Sequence, residues 1–255
     1  MAWAFKIPKN KYIVAMNDIE MQYPIRINKY LHAQNICSRR KADELIEQGK
    51  IKVNGVIAVL GQKINEGDKV ELTEEVKKMP MNYEYFIFYK PRGVVSHSPQ
   101  LGEKSVDDFF NPSKKLSHVG RLDKDSEGLM LMTNDGRIVD KMLNPENEHE
   151  KEYLVKVDKD IKESFKAKME RGVQIEDYKT RPCRVKISGD RSFKIILTEG
   201  KKHQIRRMCA AFGYTVLDLK RIRMMNLKLA GLFPGQSRAI KMEEKVELLK
   251  SVGLM

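Results

Sequence analysis

The sequence predicts an α+β protein in two modules: a small N-terminal α/β module, then a larger domain built on a β-sheet with flanking helices. Three observations carry this. Residues 24–72 hold two short stretches with apolar residues at helical spacing, then a compact hairpin signal. Residues 73–82, TEEVKKMPMN, are polar and mixed in charge and end near Pro80, as an interdomain connection does. From residue 83 onward, runs of period two alternate with amphipathic stretches. At 255 residues with 41% hydrophobic content, the chain can bury one medium core and one small one.

Residues 1–23 mix Lys6, Lys9 and Lys11 with Trp3, Phe5 and Tyr12 in no sustained period and read as an N-terminal extension. IRINKYLHAQN then supplies a short helix. Ser38 caps a second, in which Ala42, Leu45 and Ile46 form the buried stripe before Gly49 ends it. KIKVNGVIAV carries an Asn-Gly hairpin turn, and DKVEL adds an alternating strand up to Leu72. In residues 83–255, YEYFIFYK is a β-prone aromatic run, and Pro91-Arg92-Gly93 turns it into VVSH as the second arm of a hairpin. HVGRLDKDSEGLMLMTNDG reads as strand, loop, strand, turn.

RIVDKMLN makes two helical turns, and KEYLVKVD alternates with Tyr153, Val155 and Val157 on one face. IKESFKAKMERG is an amphipathic helix ended by Gly172, followed by two or three strands in VQIEDYKTRPCRVKI and SFKIILTEG. In GKKHQIRRMCAAFG, Ile205, Met208, Cys209 and Phe212 make one helix face and leave Arg206 and Arg207 at its margin. LDLKRIRMMNLKL is expected to close the sheet, and EEKVELLKSVG is a terminal helix packing through Val246, Leu248 and Leu249.

The formal charge is +13, an excess that draws polyanions, nucleic acid above all. Arg39, Arg40 and Lys41 stand in the first turn of the second helix, at the positive end of its dipole, where each cation forgoes roughly 0.3–1 kcal/mol relative to an acid. A bound phosphate would be attracted by those cations and by the free N–H groups together, so the cluster points to an RNA backbone. Arg26, Lys29, Lys50 and Lys52 widen the patch; a solvated basic face is the alternative. No apolar run approaches the ~18 residues that span a bilayer, and the N-terminus lacks a signal-peptide core, so a cytoplasmic protein without membrane contact is expected. Cys37, Cys183 and Cys209 are odd in number, with no CxxC pair, and should be reduced thiols. The scattered histidines give no metal site, and no Gly-rich phosphate loop suggests a cofactor.

The chemistry concentrates in His118–Gly136. One carboxylate, Asp123, follows Arg121 and Leu122 in a loop between two apolar runs, where a rigid scaffold presents it. From composition alone, a polar loop between two core strands is the simpler reading. The pattern Gly-Arg-Leu-Asp, a hydroxyl residue, Gly-Leu and Thr-Asn-Asp-Gly nevertheless resembles the catalytic motif of pseudouridine synthases, and more narrowly the RsuA/RluB/RluF group that modifies ribosomal RNA. Ser126 stands where many members have threonine.

That resemblance implies a mixed, mainly antiparallel sheet in the catalytic domain and Asp123 as the catalytic aspartate. KEYLV is similar to the strand whose tyrosine stacks on the target base and is a candidate to handle the proton at carbon five of uracil, which implies that catalytic role for Tyr153; stacking contributes about 1–3 kcal/mol per base. HQIRR is similar to the segment whose basic residue pairs with the aspartate, which implies Arg206 as partner and favours the charged carboxylate. Leu219 matches a position near the base. KPRGVVSH resembles the KPxG motif, with Lys90 and Arg92 as possible RNA contacts or ordinary turn cations.

Residues 24–72 resemble the small RNA-binding module of a small-subunit ribosomal protein. Arg26, Lys29, Arg39, Arg40, Lys41, Arg121, Arg207, Arg221 and Arg223 are then the expected RNA-binding residues. KDSEGL and NEHEKEYLVKVDK most resemble the RluF branch. The implied activity is isomerisation of a uridine to pseudouridine by a monomer without cofactor or metal, in 23S ribosomal RNA, with tyrosine transfer RNA as a further candidate substrate. The alternatives are the same reaction at another ribosomal RNA site, 16S or 23S, and a non-catalytic RNA-binding ribosome assembly factor.

Overall fold

The structure, a computed structural model, describes residues 21–34, 36–77, 83–110 and 116–255. The chain divides into two compact units, Met1–Met81 and Asn82–Met255. Most of the expected N-terminal extension, residues 1–20, lies outside the described residues; Met21 and Tyr23 pack against the first core.

The first unit runs β1 (Ile25–Arg26), α1 (Ile27–Ala33), α2 (Arg39–Glu47), β2 (Ile51–Val53), β3 (Val56–Ile57), β4 (Lys63–Ile64), β5 (Val70–Leu72) and α3 (Glu74–Lys77). Ser38 caps α2 as its sequence suggests, its hydroxyl oxygen accepting from the Lys41 N–H at 3.3 Å. Asn54 and Gly55 both have positive φ, the backbone a two-residue hairpin needs to join β2 to β3. β2 also pairs with β5, and β1 with β4, so Leu31, Leu45, Ile46, Ile51 and Ile64 close one small core. The expected connection at 73–82 begins late: Glu74–Lys77 form a helical turn and Val76 is buried in that core. One apolar residue among charges is enough to fold the segment back. Residues 78–82 are outside the described residues.

The second unit opens with β6 (Tyr85–Lys90), β7 (Ser117–Val119), β8 (Glu127–Thr133), α4 (Arg137–Leu143), β9 (Lys151–Val157) and α5 (Ser164–Glu170). It continues through β10 (Gln174–Ile175), β11 (Tyr178–Lys179), β12 (Arg184–Gly189), β13 (Ser192–Leu197), α6 (Gln204–Ala210), β14 (Val216–Met224), β15 (Leu227–Lys228), β16 (Ser237–Ala239) and α7 (Met242–Ser251). The main sheet has the order β12-β13-β9-β14-β8-β6-β16, with β15 on β14 and β7 on β8. Every pairing is antiparallel except β14 with β8.

Two expectations are corrected here. β14 does not close the sheet but lies in its middle; its basic residues 220, 221 and 223 disguised a central strand. VVSH is not the return arm of a hairpin: Val95 makes a single bridge to Ser105, while Val94 and Ser96 turn inward. The region between Gly172 and Gly200 holds four short strands, and β10–β11 form a separate hairpin.

Period-two alternation sorts the core. On β6 and β8, Tyr85, Ile87, Leu129 and Leu131 pack with Ile138 and Met142 of α4 and Leu248 of α7, whereas Phe88, Met130 and Met132 face Val94, Val106 and Leu122. The other half of the sheet packs Val155, Phe193 and Ile195 against Phe165 of α5 and Met208 of α6. Tyr153 touches both the Val155 cluster and the Leu122 cluster, which puts it at the seam. At that seam β8 approaches β14 so closely that a Cβ on Gly128 would lie 2.3 Å from the Arg221 carbonyl oxygen. The glycine after Glu127 is therefore a packing requirement.

Candidate active site

Asp123 sits in the loop between β7 and β8, and that loop is held from two sides. On one side the Ser96 hydroxyl donates to the Leu122 carbonyl at 2.6 Å and accepts from the Leu122 N–H at 3.1 Å. The ammonium of Lys90, itself fully buried, donates to the carbonyls of Pro91, Val94 and Lys124 at 2.9, 2.6 and 3.4 Å. Burial pushes the Lys90 pKa down to about 8, while the charges of Asp123, Asp125 and Glu127 work against that fall. Lys90 is thus an internal strut, not an RNA contact, because its head group is spent on carbonyls.

On the other side, the Arg206 guanidinium donates to the Asp125 carbonyl at 3.0 Å, to the Ser126 hydroxyl at 3.4 Å and to the Val216 carbonyl at 3.1 Å. The expected ion pair between Arg206 and Asp123 is not formed. Arg206 instead bolts the loop to the start of β14, since backbone carbonyls absorb its donors. The group beside Asp123 is His203, whose Nε2 lies 3.5 Å from a carboxylate oxygen. His203 caps α6 with φ of 52°, a left-handed conformation that turns the residue out of the helix.

Asp123 opens into a cavity of about 920 Å³ that Tyr153, Leu219, Arg221, Lys151 and Glu199 also line. Among the described residues, two carboxylates line it. Glu199 is 2% exposed, and its oxygens accept from the Tyr178 hydroxyl, the Arg181 N–H and the Gln204 side-chain amide. Asp123, with its side chain 37% exposed, is the one left able to meet a reacting atom. Register sets the rest. Tyr153 on β9 lies directly across from Arg221 on β14, and Leu219 pairs with Val155. Arg121, Lys124, Lys201 and Lys202 are exposed at the cavity's lining and give its mouth positive charge.

The remaining expected RNA contacts divide. Arg26, Lys29, Arg39 and Arg40 are exposed on the first unit, and Lys41 pairs with Glu44 at 3.2 Å. Arg207 pairs with Glu176 at 2.5 Å, and Arg223 with Glu150 and Glu152 at 2.9 and 2.8 Å. Arg221 is only 2% exposed, with its Nε bound to the Leu129 carbonyl at 2.7 Å, so it does not offer itself on the outer surface. Arg92, half-exposed, pairs with Asp218 at 2.9 Å. The cavity residues that sequence reasoning passed over are Lys151, Glu199 and His203. Lys151 and Tyr153 share a face by period two, and that spacing was the available signal.

Cys37, Cys183 and Cys209 form no disulfide with one another, and no described helix is long and apolar enough to cross a membrane. Residues 84–211 match the family described as RNA pseudouridylate synthase, and residues 25–70 match the S4 domain. The chain is 42% identical over 231 residues to the dual-specificity RNA pseudouridine synthase RluF of Escherichia coli (strain K12), covering 89% of this chain and 79% of that protein. To the ribosomal large subunit pseudouridine synthase B of Bacillus subtilis (strain 168) it is 38% identical over 230 residues, covering 86% and 93%. A crystal structure of a pseudouridylate synthase shares the fold at a TM-score of 0.65 and 29% identity, over 88% of this chain and 99% of that one. With that architecture, and with an S4 domain ahead of the synthase domain, the chain belongs to the RNA pseudouridylate synthase family in its RsuA-type branch.

Proposed function

We propose that this synthase converts one specific uridine of 23S ribosomal RNA to pseudouridine, with Asp123 as its catalytic aspartate, and that a transfer RNA is its second substrate. The observation that carries the assignment of Asp123 is its position as the cavity carboxylate whose oxygens are not consumed by internal hydrogen bonds. The names of the relatives, one dual in specificity and one acting on the large subunit, support the choice of RNA.

The reaction breaks the bond between uracil N1 and ribose C1′, turns the detached base and rejoins it through C5. Asp123 serves either as the nucleophile at C1′ or as the base that removes a ribose proton to give a glycal; both routes need the same placement. A paired uridine hides that bond, so the nucleotide must be extruded into the cavity, where Tyr153 offers its ring for stacking and Leu219 an apolar wall. Arg206 acts as a positioning residue through its hold on residues 125 and 126. The cations at the mouth, with Arg26, Lys29, Arg39 and Arg40 of the S4 domain, grip phosphates without reading bases.

The test is a map of pseudouridine in total RNA from cells with and without this gene. Loss of one 23S position, together with one transfer RNA position, is the expected difference. Loss at a 16S position alone, or no loss anywhere, overturns the substrate assignment.

A further inference from the structure

The buried part of the cavity lining carries positive charge that the fold answers only in part. Arg221 is 98% buried by its 2% exposure, and one terminal guanidinium nitrogen has no hydrogen-bond partner at all. Lys151, on the same face of β9 as Tyr153, is 7% exposed and joins none of the ion pairs among the described residues. Burial and the neighbouring Arg221 charge push the Lys151 pKa down, and Glu199 only partly opposes them. The oxygens of Glu199 are already engaged by Tyr178, Arg181 and Gln204. Buried like charges with free donors are costly to keep unless an anion arrives to meet them.

Resting on the synthase reading of this cavity, we propose that Lys151 and Arg221 form an anion site for the departing base and hold the carbonyl oxygens of uracil while it is detached from the ribose. When N1–C1′ breaks, the bonding electron pair leaves with uracil and spreads over N1 and the two carbonyl oxygens. The cations meet that charge as it develops, which is when such contacts accelerate a reaction. Once C5 has bonded to C1′ using the same pair, the C5 proton is lost and N1 takes one up, so the step is a pure isomerisation.

Depth favours the base over a phosphate as the occupant. A flipped nucleotide sends its base inward and leaves its backbone at the surface. The exposed Lys201 and Lys202 line the same cavity and are the cations available to that backbone, whereas Lys124 is paired with Glu103 at 2.7 Å. Arg221 stands opposite Tyr153, so a base stacked on the tyrosine ring would present its polar edge within the same pocket.

The experiment compares single-turnover breaking of the N1–C1′ bond in two otherwise identical stem-loops, one with uridine and one with 5-fluorouridine at the mapped target. With no C5 proton to lose, the second base stays C5-glycosylated and takes up water at C6, so consumption of the N1-linked nucleoside is the readout for both. Fluorine makes the base a better leaving anion that needs less help. For Lys151→Met we expect a rate loss of about 100-fold on uridine, as for removal of one oxyanion donor, with RNA affinity nearly unchanged. The deficit should shrink at least about tenfold on 5-fluorouridine, and Lys151→Arg should recover most of the rate. Thermal melting of both variants shows whether each is folded, and Lys151→Gln gives the same comparison if the methionine variant is not.

An equal deficit on both RNAs, no deficit on either, or a loss confined to RNA affinity overturns the inference while leaving the synthase reading intact. A wild-type protein that converts neither RNA overturns that reading, and the inference with it.

Discussion

At the scale of single residues, Asp123 is a carboxylate in a loop that Ser96 and Arg206 immobilise from either side. The place of Asp123, in a loop between two apolar strands, was legible in the sequence. The contacts of Arg206 were not, since its donors go to the carbonyls of Asp125 and Val216, and any residue type offers a carbonyl. The burial of Lys90 and Arg221 was missed for a related reason: charged side chains are almost never fully buried, so composition puts them on the surface. If Arg206 acts by fixing the loop, Arg206→Ala should lower the single-turnover rate by about 100-fold with RNA affinity little changed, the usual cost of a misplaced catalytic group. A variant that lost affinity and kept its rate would assign Arg206 to RNA contact instead.

At the scale of elements, the strands and helices followed from periodicity, while their order in the sheet did not. β14 sits at the centre, antiparallel to β9 and parallel to β8, yet its sequence alternates like an edge because Lys220 and Arg223 pair with Glu127 and with Glu150 and Glu152. The parallel contact depends on Gly128. Gly128→Ala would drive a methyl group into the Arg221 carbonyl at a φ of +113°, so we expect a loss of at least about 2 kcal/mol in urea unfolding. A stability within a few tenths of wild type would show that β8 and β14 do not approach so closely.

In the S4 domain, α2 carries Arg39 and Arg40 in its first turn without any acid there. If both meet phosphates, replacing them by glutamine should lower the slope of log affinity against log salt by roughly 1.4 to 1.8. An unchanged slope would mark them as solvated.

At the scale of the whole molecule, the +13 charge and the two-unit organisation were readable from composition and from the shift in patterning near residue 80. The response to alkali was not, because it depends on burial. Burial raises the Cys183 and Cys209 thiols to about 12 and, with help from Asp135, lifts the Tyr85 phenol far above its ordinary value. Groups held neutral in the fold but ionised in the unfolded chain favour folding below their ordinary pKa, and that advantage fades as pH rises through the folded value. Lys90 works the other way between about 8 and 10.5, and its effect is complete above that window. The urea midpoint should therefore fall steadily from pH 10.5 to about 12; a flat profile there would mean that the thiols and Tyr85 are not sequestered as described.

Pseudouridine formation on purified ribosomal RNA should be measured for the wild type and for Asp123→Asn, an isosteric change with the fold checked by melting. Complete loss of product with RNA binding retained is the expected result. Product formed at the wild-type rate would contradict the account.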